Sequence, residues 1–129
     1  MNPSEKVKFI SNWIKSYVDN MPSKAEALVI GISGGIDSSV SSTLSAMTGL
    51  KTIVLSMPIK QKENQHDLSL KHQEWLVKNF KNVEAHTLNL DQLFNSFSST
   101  LNRFDNEHGF ANSRARLRMA TLYQVAAAN

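Results

Sequence analysis

The sequence contains no cysteine and no long apolar run, and both absences narrow what the chain can do. Without a thiol, none of the 129 residues can form a disulfide, carry a persulfide for sulfur transfer or act as a cysteine nucleophile. No apolar run approaches the roughly 20 residues needed to span a bilayer. Met1 leads into a polar segment rather than into a secretory leader. We therefore expect a cytoplasmic protein without membrane association, in a reducing compartment.

The most informative segment is a glycine-containing loop between two apolar stretches. The preceding stretch, residues 27–30, has the branched apolar density of a strand buried on both faces. After the loop, Val40, Leu44 and Met47 recur at helical spacing. This order directs the first amide groups of the helix, with their positive partial charge, at the loop. The pattern predicts a pyrophosphate site at the helix start. Its candidate residues are Gly31, Ile32, Ser33, Gly34, Gly35, Ile36, Asp37 and Ser38.

The residue types in this loop indicate how the anion is held. Gly34 and Gly35 lack a Cβ and let the backbone approach a ligand closely. Ser33 and Ser38 add hydroxyl groups that can donate to phosphate oxygens. The loop has no lysine, so compensating positive charge must come from elsewhere. Asp37 would repel a bare phosphate, and it is best explained as the ligand of a hard divalent cation, Mg²⁺. The alternative is a tight turn in which Asp37 and Ser38 only cap the helix.

Strand and helix patterns alternate along the chain, which predicts a parallel sheet covered by helices on both faces. We expect the first helix to be capped by Asn2, with Pro3 at its first position and Glu5 in the reciprocal bond. Trp13 and Trp75 fall on apolar helical stripes and are predicted to lie in the core. A polar connector follows Pro58. The predicted strands are residues 25–32, 51–57 and 83–90, and the later helices are 38–48, 64–80, 91–101 and about 112–129.

Three arginines at alternate positions mark the last predicted helix, for which Asn112 is the expected N-cap. Arg114 and Arg118 share a helical face and Arg116 points elsewhere, so their roles must differ. Such a set can be a solvated face or a binding surface. The histidines have no convincing metal-ligand spacing, and we expect them on the surface or in packing contacts. They are His66, His72, His86 and His108.

The six residues Ser33 to Ser38 read Ser-Gly-Gly-Ile-Asp-Ser, which resembles the Ser-Gly-Gly-x-Asp-Ser signature of the ATP-pyrophosphatase (PP-loop) family. The resemblance implies a Rossmann-like adenine nucleotide alpha hydrolase-like fold, a three-layer α/β/α sandwich. It also implies cleavage of ATP between the α and β phosphates to adenylate a carboxylate or carbonyl oxygen. In the family, the region that matches Ser56, Met57 and Pro58 receives the adenine. Several enzymes share the signature, among them GMP synthetase and tRNA-lysidine synthetase.

A second segment narrows the resemblance. Residues 112–119, Asn-Ser-Arg-Ala-Arg-Leu-Arg-Met, resemble the Asn-x-x-Ala-Arg-x-Arg-Met helix of the ammonia-dependent NAD synthetases, which belong to the same family. This resemblance implies ATP-driven amidation of nicotinic acid adenine dinucleotide (deamido-NAD) to NAD, with release of AMP and pyrophosphate. It places Arg116, assisted by Asn112, on the dinucleotide and implies a homodimer. The absence of cysteine then means that ammonia comes from outside the chain.

Two further expectations concern the extent and partners of the chain. We expect residues 1–129 to be one PP-loop ATP-binding synthetase domain, truncated on its C-terminal side, because the last helix ends without a cap. Such an N-terminal portion should not turn over alone, since family members are longer. The net charge of +3 alone does not identify a partner, and nucleic acid is an unlikely one. A module that binds ATP without chemistry is the alternative from another functional class.

Overall fold

The computed structural model describes residues 1–59 and 63–129, and within them helices and parallel strands alternate. For Glu63 the description covers the backbone alone. Part of the polar connector expected after Pro58 lies outside the described residues. The elements are α1 (Pro3–Asp19), β1 (Leu28–Ile32), α2 (Ile36–Ala46), β2 (Thr52–Ser56), α3 (Glu63–Asn79), β3 (Val83–Thr87), α4 (Asp91–Thr100), a 3-10 turn (Asn102–Phe104) and α5 (Glu107–Ala128).

The start of α1 is held by the capping pattern predicted from its sequence. The Glu5 amide donates to Asn2 Oδ1 at 2.8 Å, and the Asn2 amide donates to Glu5 Oε2 at 3.3 Å. Pro3 occupies the first turn, where a missing amide hydrogen removes no helical bond. The amides of Asn2 and Glu5, which would otherwise lack an acceptor, are thereby satisfied at the N-terminal end of the helix.

The sheet has the strand order β1-β2-β3, and both pairs are parallel. Each strand is shorter than predicted: β1 begins three residues later, β2 loses one residue at each end, and β3 ends three residues earlier. Every residue of β2 is buried, as expected for a central strand with helices on both faces. Gly31 pairs with Leu55 and Ile32 with Ser56, so β1 and β2 end side by side at one edge.

Alternate residues of β2 enter two separate cores, which confirms the three-layer α/β/α architecture. Ile53 and Leu55 pack with Phe94 of α4 and with partly buried residues of α5. Val54 packs on the opposite face with Ala46 of α2 and Leu76 of α3. The period-two alternation of side chains along a strand produces this division. Among the described residues, no helix is long and apolar enough to cross a membrane.

Two expectations about helices are wrong. The last helix begins at Glu107, with Asn106 as N-cap, and Asn112 lies inside it. The Asn106 side chain accepts from the Gly109 amide at 2.8 Å, so the cap forms six residues earlier than expected. Trp13 and Trp75 are not core residues: 58% and 47% of their surfaces are exposed. Both rings stack on neighbours in their own helices, Trp13 on Tyr17 and Trp75 on His72.

Candidate nucleotide-binding site

The predicted pyrophosphate site, residues 31–38, is called the phosphate loop below. It connects β1 directly to α2 at the carboxyl edge of the sheet. Gly35 is the N-cap of α2 and has extended backbone angles, φ −85° and ψ 167°. Glycine has no side chain to accept from the first-turn amides, and among the described residues no side-chain cap bond forms there. The alternative in which Asp37 and Ser38 cap the helix is therefore not what the structure contains. Those amides remain directed at the loop mouth, where an anion can accept from them.

A network of hydroxyl groups holds the loop in shape. The Ser33 amide donates to Ser38 Oγ at 3.1 Å, and the two serine hydroxyl oxygens also lie 3.1 Å apart. The Gly35 amide donates to Ser33 Oγ at 3.2 Å. On the far side, Ser39 Oγ donates to the Gly35 carbonyl at 2.9 Å. The serines therefore preorganise the loop, a role beyond the ligand contacts predicted for Ser33 and Ser38.

Gly34 is the most constrained residue of the loop. Its φ is +93°, a region that residues with a Cβ rarely adopt. A Cβ at this position would lie 2.5 Å from the carbonyl oxygen of Gln65, in the first turns of α3. The loop is thus packed directly against the start of a second helix. The sequence pattern did not reveal this contact, because Gln65 is 31 positions away and contributes only its backbone.

The Asp37 carboxylate is placed where it could serve as a ligand of a divalent cation. Asp37 lies in the first turn of α2, is exposed, and forms no hydrogen bond or ion pair with the residues the structure describes. No group of three or more His, Cys, Asp or Glu side chains that could hold a metal occurs in the same residues. Mg²⁺ commonly binds through one or two carboxylates, with waters and substrate phosphates as the other ligands. One carboxylate beside a phosphate loop fits that mode.

The arginines of α5 divide as the spacing predicted. Arg114 donates to Glu107 Oε1 at 3.0 Å, and its guanidinium carbon lies 5.3 Å from the centre of the Phe94 ring. Arg118 donates through Nε to the Met57 carbonyl at 3.0 Å. Burial lowers the pKa of Arg118, and the nearby Arg114 charge lowers it further. Both guanidinium groups therefore have structural contacts.

Asn112 and Arg116 are exposed and four positions apart on α5, which puts them on one helical face. Neither side chain bonds to the described part of the chain, and the structure does not join them to the phosphate loop. The exposed face leaves both side chains accessible to a ligand. Their assignment to the dinucleotide stays a prediction.

Two histidines lie in the packing or surface positions expected of them. His72 Nε2 is 2.9 Å from Ser42 Oγ, and its ring stacks on Trp75. Burial lowers the pKa of His72, partly offset by a backbone hydrogen bond at Ser39. On the exposed surface of β3, His86 Nε2 lies 2.9 Å from Glu84 Oε2. Neither pair contributes to the phosphate loop.

Comparison with known proteins agrees with this geometry. Residues 6–129 match the NAD synthase family model. The chain is 34% identical to the NH3-dependent NAD(+) synthetase of Sulfurisphaera tokodaii, over 92% of this chain and 40% of that protein. It is also 34% identical to the enzyme of the same name from Mesoplasma florum, over all of this chain and 52% of that protein. The chain thus spans about half the length of these curated relatives.

Solved structures of similar fold point the same way. NMN synthetase from Francisella tularensis superposes with a TM-score of 0.85 and 34% identity, covering 98% of this chain and 50% of that one. NH3-dependent NAD synthetase from Campylobacter jejuni, solved with a nitrate ion, gives a TM-score of 0.83 and 25% identity, covering 98% and 53%. The loop, the arginine helix and these matches set aside GMP synthetase and tRNA-lysidine synthetase. The chain belongs to the NAD synthase family.

Proposed function

We propose that this chain forms the ATP-binding part of a ligase that makes a carbon–nitrogen bond, amidating deamido-NAD with ammonia to give NAD. The observation that carries the proposal is the phosphate loop between β1 and α2, where no side chain in the described part of the structure caps the first-turn amides of α2. In the reaction, the substrate carboxylate attacks the α-phosphorus of ATP and pyrophosphate leaves. Ammonia then attacks the carbonyl carbon of the acyl adenylate, loses a proton, and displaces AMP.

The loop residues contribute by binding and orienting the triphosphate. Charge accumulates on the departing pyrophosphate, and preorganised amide dipoles directed at that charge lower the barrier more than side-chain acid or base groups would. We propose that residues 31–38 hold the phosphates and that Asp37 is a ligand of the Mg²⁺ ion. When bound, the ion would neutralise phosphate charge, which compensates for the missing lysine.

The exposed face of α5 supplies the second substrate contact in this proposal. Arg116 offers a planar guanidinium that can bind a phosphate or carboxylate through two parallel hydrogen bonds. Asn112 lies one helical turn earlier and can add an amide donor. We further propose that residues 1–129 are the N-terminal portion of one PP-loop synthetase domain, acting as a cytoplasmic homodimer.

One of the similar structures supports a second possible carboxylate substrate. The similar structure from Francisella tularensis is an NMN synthetase, so nicotinic acid mononucleotide is the alternative substrate. Both compounds carry the same nicotinate carboxylate and differ in the adenylate half. An ammonia-dependent reaction would proceed by the same two steps with either compound.

Equilibrium binding tests the proposal directly. We expect the chain to bind a non-hydrolysable α,β-methylene analogue of ATP in the presence of Mg²⁺, and to bind deamido-NAD more tightly than NAD. Tighter binding of nicotinic acid mononucleotide would favour the second candidate. Binding of the ATP analogue with neither carboxylate would support a nucleotide-binding module without chemistry. Loss of all binding would contradict the proposal. Formation of ¹⁵N-labelled amide from ¹⁵N-ammonium by this chain would contradict the expectation that the N-terminal portion does not turn over alone.

A further inference from the structure

The carbonyl group of Met57 lies just past the end of β2 and lacks a partner within the sheet. The carbonyls of Ser56 and Pro58 accept from the β3 side, from Leu88 N at 2.8 Å and Leu90 N at 3.0 Å. Alternate carbonyls of a strand face opposite neighbours, so the Met57 carbonyl faces the β1 side. There β1 has already ended at Ile32. A carbonyl buried without a donor would destabilise the fold.

Arg118 supplies the missing donor from α5. Its Nε donates to the Met57 carbonyl at 3.0 Å, across 61 positions of sequence. The guanidinium is partly buried, and a hydrogen bond from a charged donor is stronger than one between neutral groups. The neighbouring Arg114 is engaged elsewhere, with Glu107. Arg118 therefore fastens α5 to the loop that follows β2.

Met57 in turn packs on the first residue of the phosphate loop. Its Cε lies 3.0 Å from the point where Gly31 would carry a Cβ. Leu122, one helical turn after Arg118, lies 3.8 Å from the same point through Cδ1. Two residues on one face of α5 thus hold Met57 and Gly31 against each other. Both contacts lie at the carboxyl edge of β1 and β2, where ligands of parallel sheets bind.

From these contacts we propose that Arg118 is a positioning residue for the phosphate loop. By fixing the Met57 carbonyl it holds the Met57 side chain on Gly31, so the loop keeps its shape before a nucleotide arrives. It acts through Met57, in contrast to Arg116 on another face of the helix. The consequence for ATP rests on the proposed function. The structural restraint on residues 31–33 and 56–59 is independent of the proposed function.

The test compares Arg118→Met, which keeps an apolar stem of similar length, with Arg118→Lys and with the control Arg103→Met. Arg103 is an exposed arginine on the 3-10 turn after α4. Hydrogen–deuterium exchange of the ligand-free chain is the first readout. In Arg118→Met we expect exchange about tenfold faster at amides 31–33 and at the amides of Ser56, Met57 and Ile59. This factor corresponds to the loss of one charge-assisted hydrogen bond. Exchange in α1 should not change, and Arg103→Met should match the unsubstituted chain.

Affinity for the α,β-methylene ATP analogue is the second readout. We expect a Kd about tenfold higher in Arg118→Met and partly restored in Arg118→Lys, which keeps a charged donor. Unchanged exchange at both stretches, or uniformly faster exchange throughout the chain, would overturn the proposal. An unchanged Kd despite faster local exchange would overturn the positioning role. If the unsubstituted chain bound no nucleotide while local exchange still rose in Arg118→Met, the proposed function would fail and the restraint would stand.

Discussion

Gly34 has a positive φ and no room for a Cβ, and replacing it by alanine tests the cost of both features. The backbone has φ +93°, and the added Cβ would lie 2.5 Å from the Gln65 carbonyl oxygen. Gly49 provides a matched control, because its φ is +79° but nothing lies within 4 Å of the position of a Cβ. Both alanine variants therefore carry backbone strain, and only Gly34→Ala carries a clash with backbone atoms.

The expected magnitudes follow from this difference. A residue with a Cβ in the left-handed region costs about 1–2 kcal/mol, so Gly49→Ala should lower the free energy of unfolding by that amount. Overpacking adds about 1–3 kcal/mol where neighbours cannot yield. We expect Gly34→Ala to lose about 2–5 kcal/mol if the loop stays in place. If the loop moves instead, stability recovers towards the control value and nucleotide binding is lost.

Urea unfolding and titration with the ATP analogue together distinguish these outcomes. Gly49→Ala should bind the analogue as the unsubstituted chain does, because Gly49 lies at the far end of α2. Gly34→Ala should lose stability beyond Gly49→Ala, lose affinity, or both. A Gly34→Ala chain that matches Gly49→Ala in stability and keeps its affinity would refute the reasoning about the contact with α3.

Three further predictions concern charged groups. Asp37→Asn should leave the fold intact but abolish the Mg²⁺-dependent gain in affinity for the ATP analogue; an unchanged difference between titrations with and without Mg²⁺ would remove its metal role. Arg116→Ala should raise the Kd of deamido-NAD about 10- to 100-fold and that of the ATP analogue less than about twofold, and equal effects would contradict the assignment. Burial holds the pKa of His72 below its ordinary value in the folded chain, so on acidification the unfolded chain binds the proton at a higher pH than the folded chain does. The free energy of unfolding should therefore decrease as the pH drops below about 6.5. Urea unfolding at several pH values should show a weaker slope in His72→Gln.

The alternation of strands and helices and the loop between β1 and α2 could be predicted from sequence because their signals are local. Apolar runs of strand length alternate with helical patterns, and two adjacent glycines mark the turn between them. In contrast, the start of α5 was misplaced because Asn106 and Asn112 are equally good caps by residue type. Which asparagine caps the helix depends on the hydrogen bond from the Gly109 amide to Asn106. Nothing in the sequence signals this bond, because a glycine at position 109 is more typical of a loop than of the first turn of a helix.

The contacts that complete the candidate site were not accessible from sequence. An apolar stripe shows which residues share a helical face, but whether another element covers that face depends on tertiary packing. Trp13 and Trp75 were misplaced for this reason. Likewise, Gln65 contacts Gly34 through a backbone carbonyl, which every residue possesses, and Arg118 reaches the carbonyl of Met57. Contacts to backbone atoms depend on position, so residue types give no signal for them.

The central claim is that residues 31–38 bind the phosphates of ATP through the amides of the loop and of the first turn of α2. Amide chemical-shift mapping of the ¹⁵N-labelled chain during titration with the α,β-methylene ATP analogue and Mg²⁺ tests it most directly. The account predicts that the largest shifts fall on the amides of Gly34 to Ser38, with smaller shifts at the amides of Ser56, Met57 and Ile59. Saturable shifts that leave these amides unchanged and cluster elsewhere, for example around Trp13 and Tyr17, would contradict it.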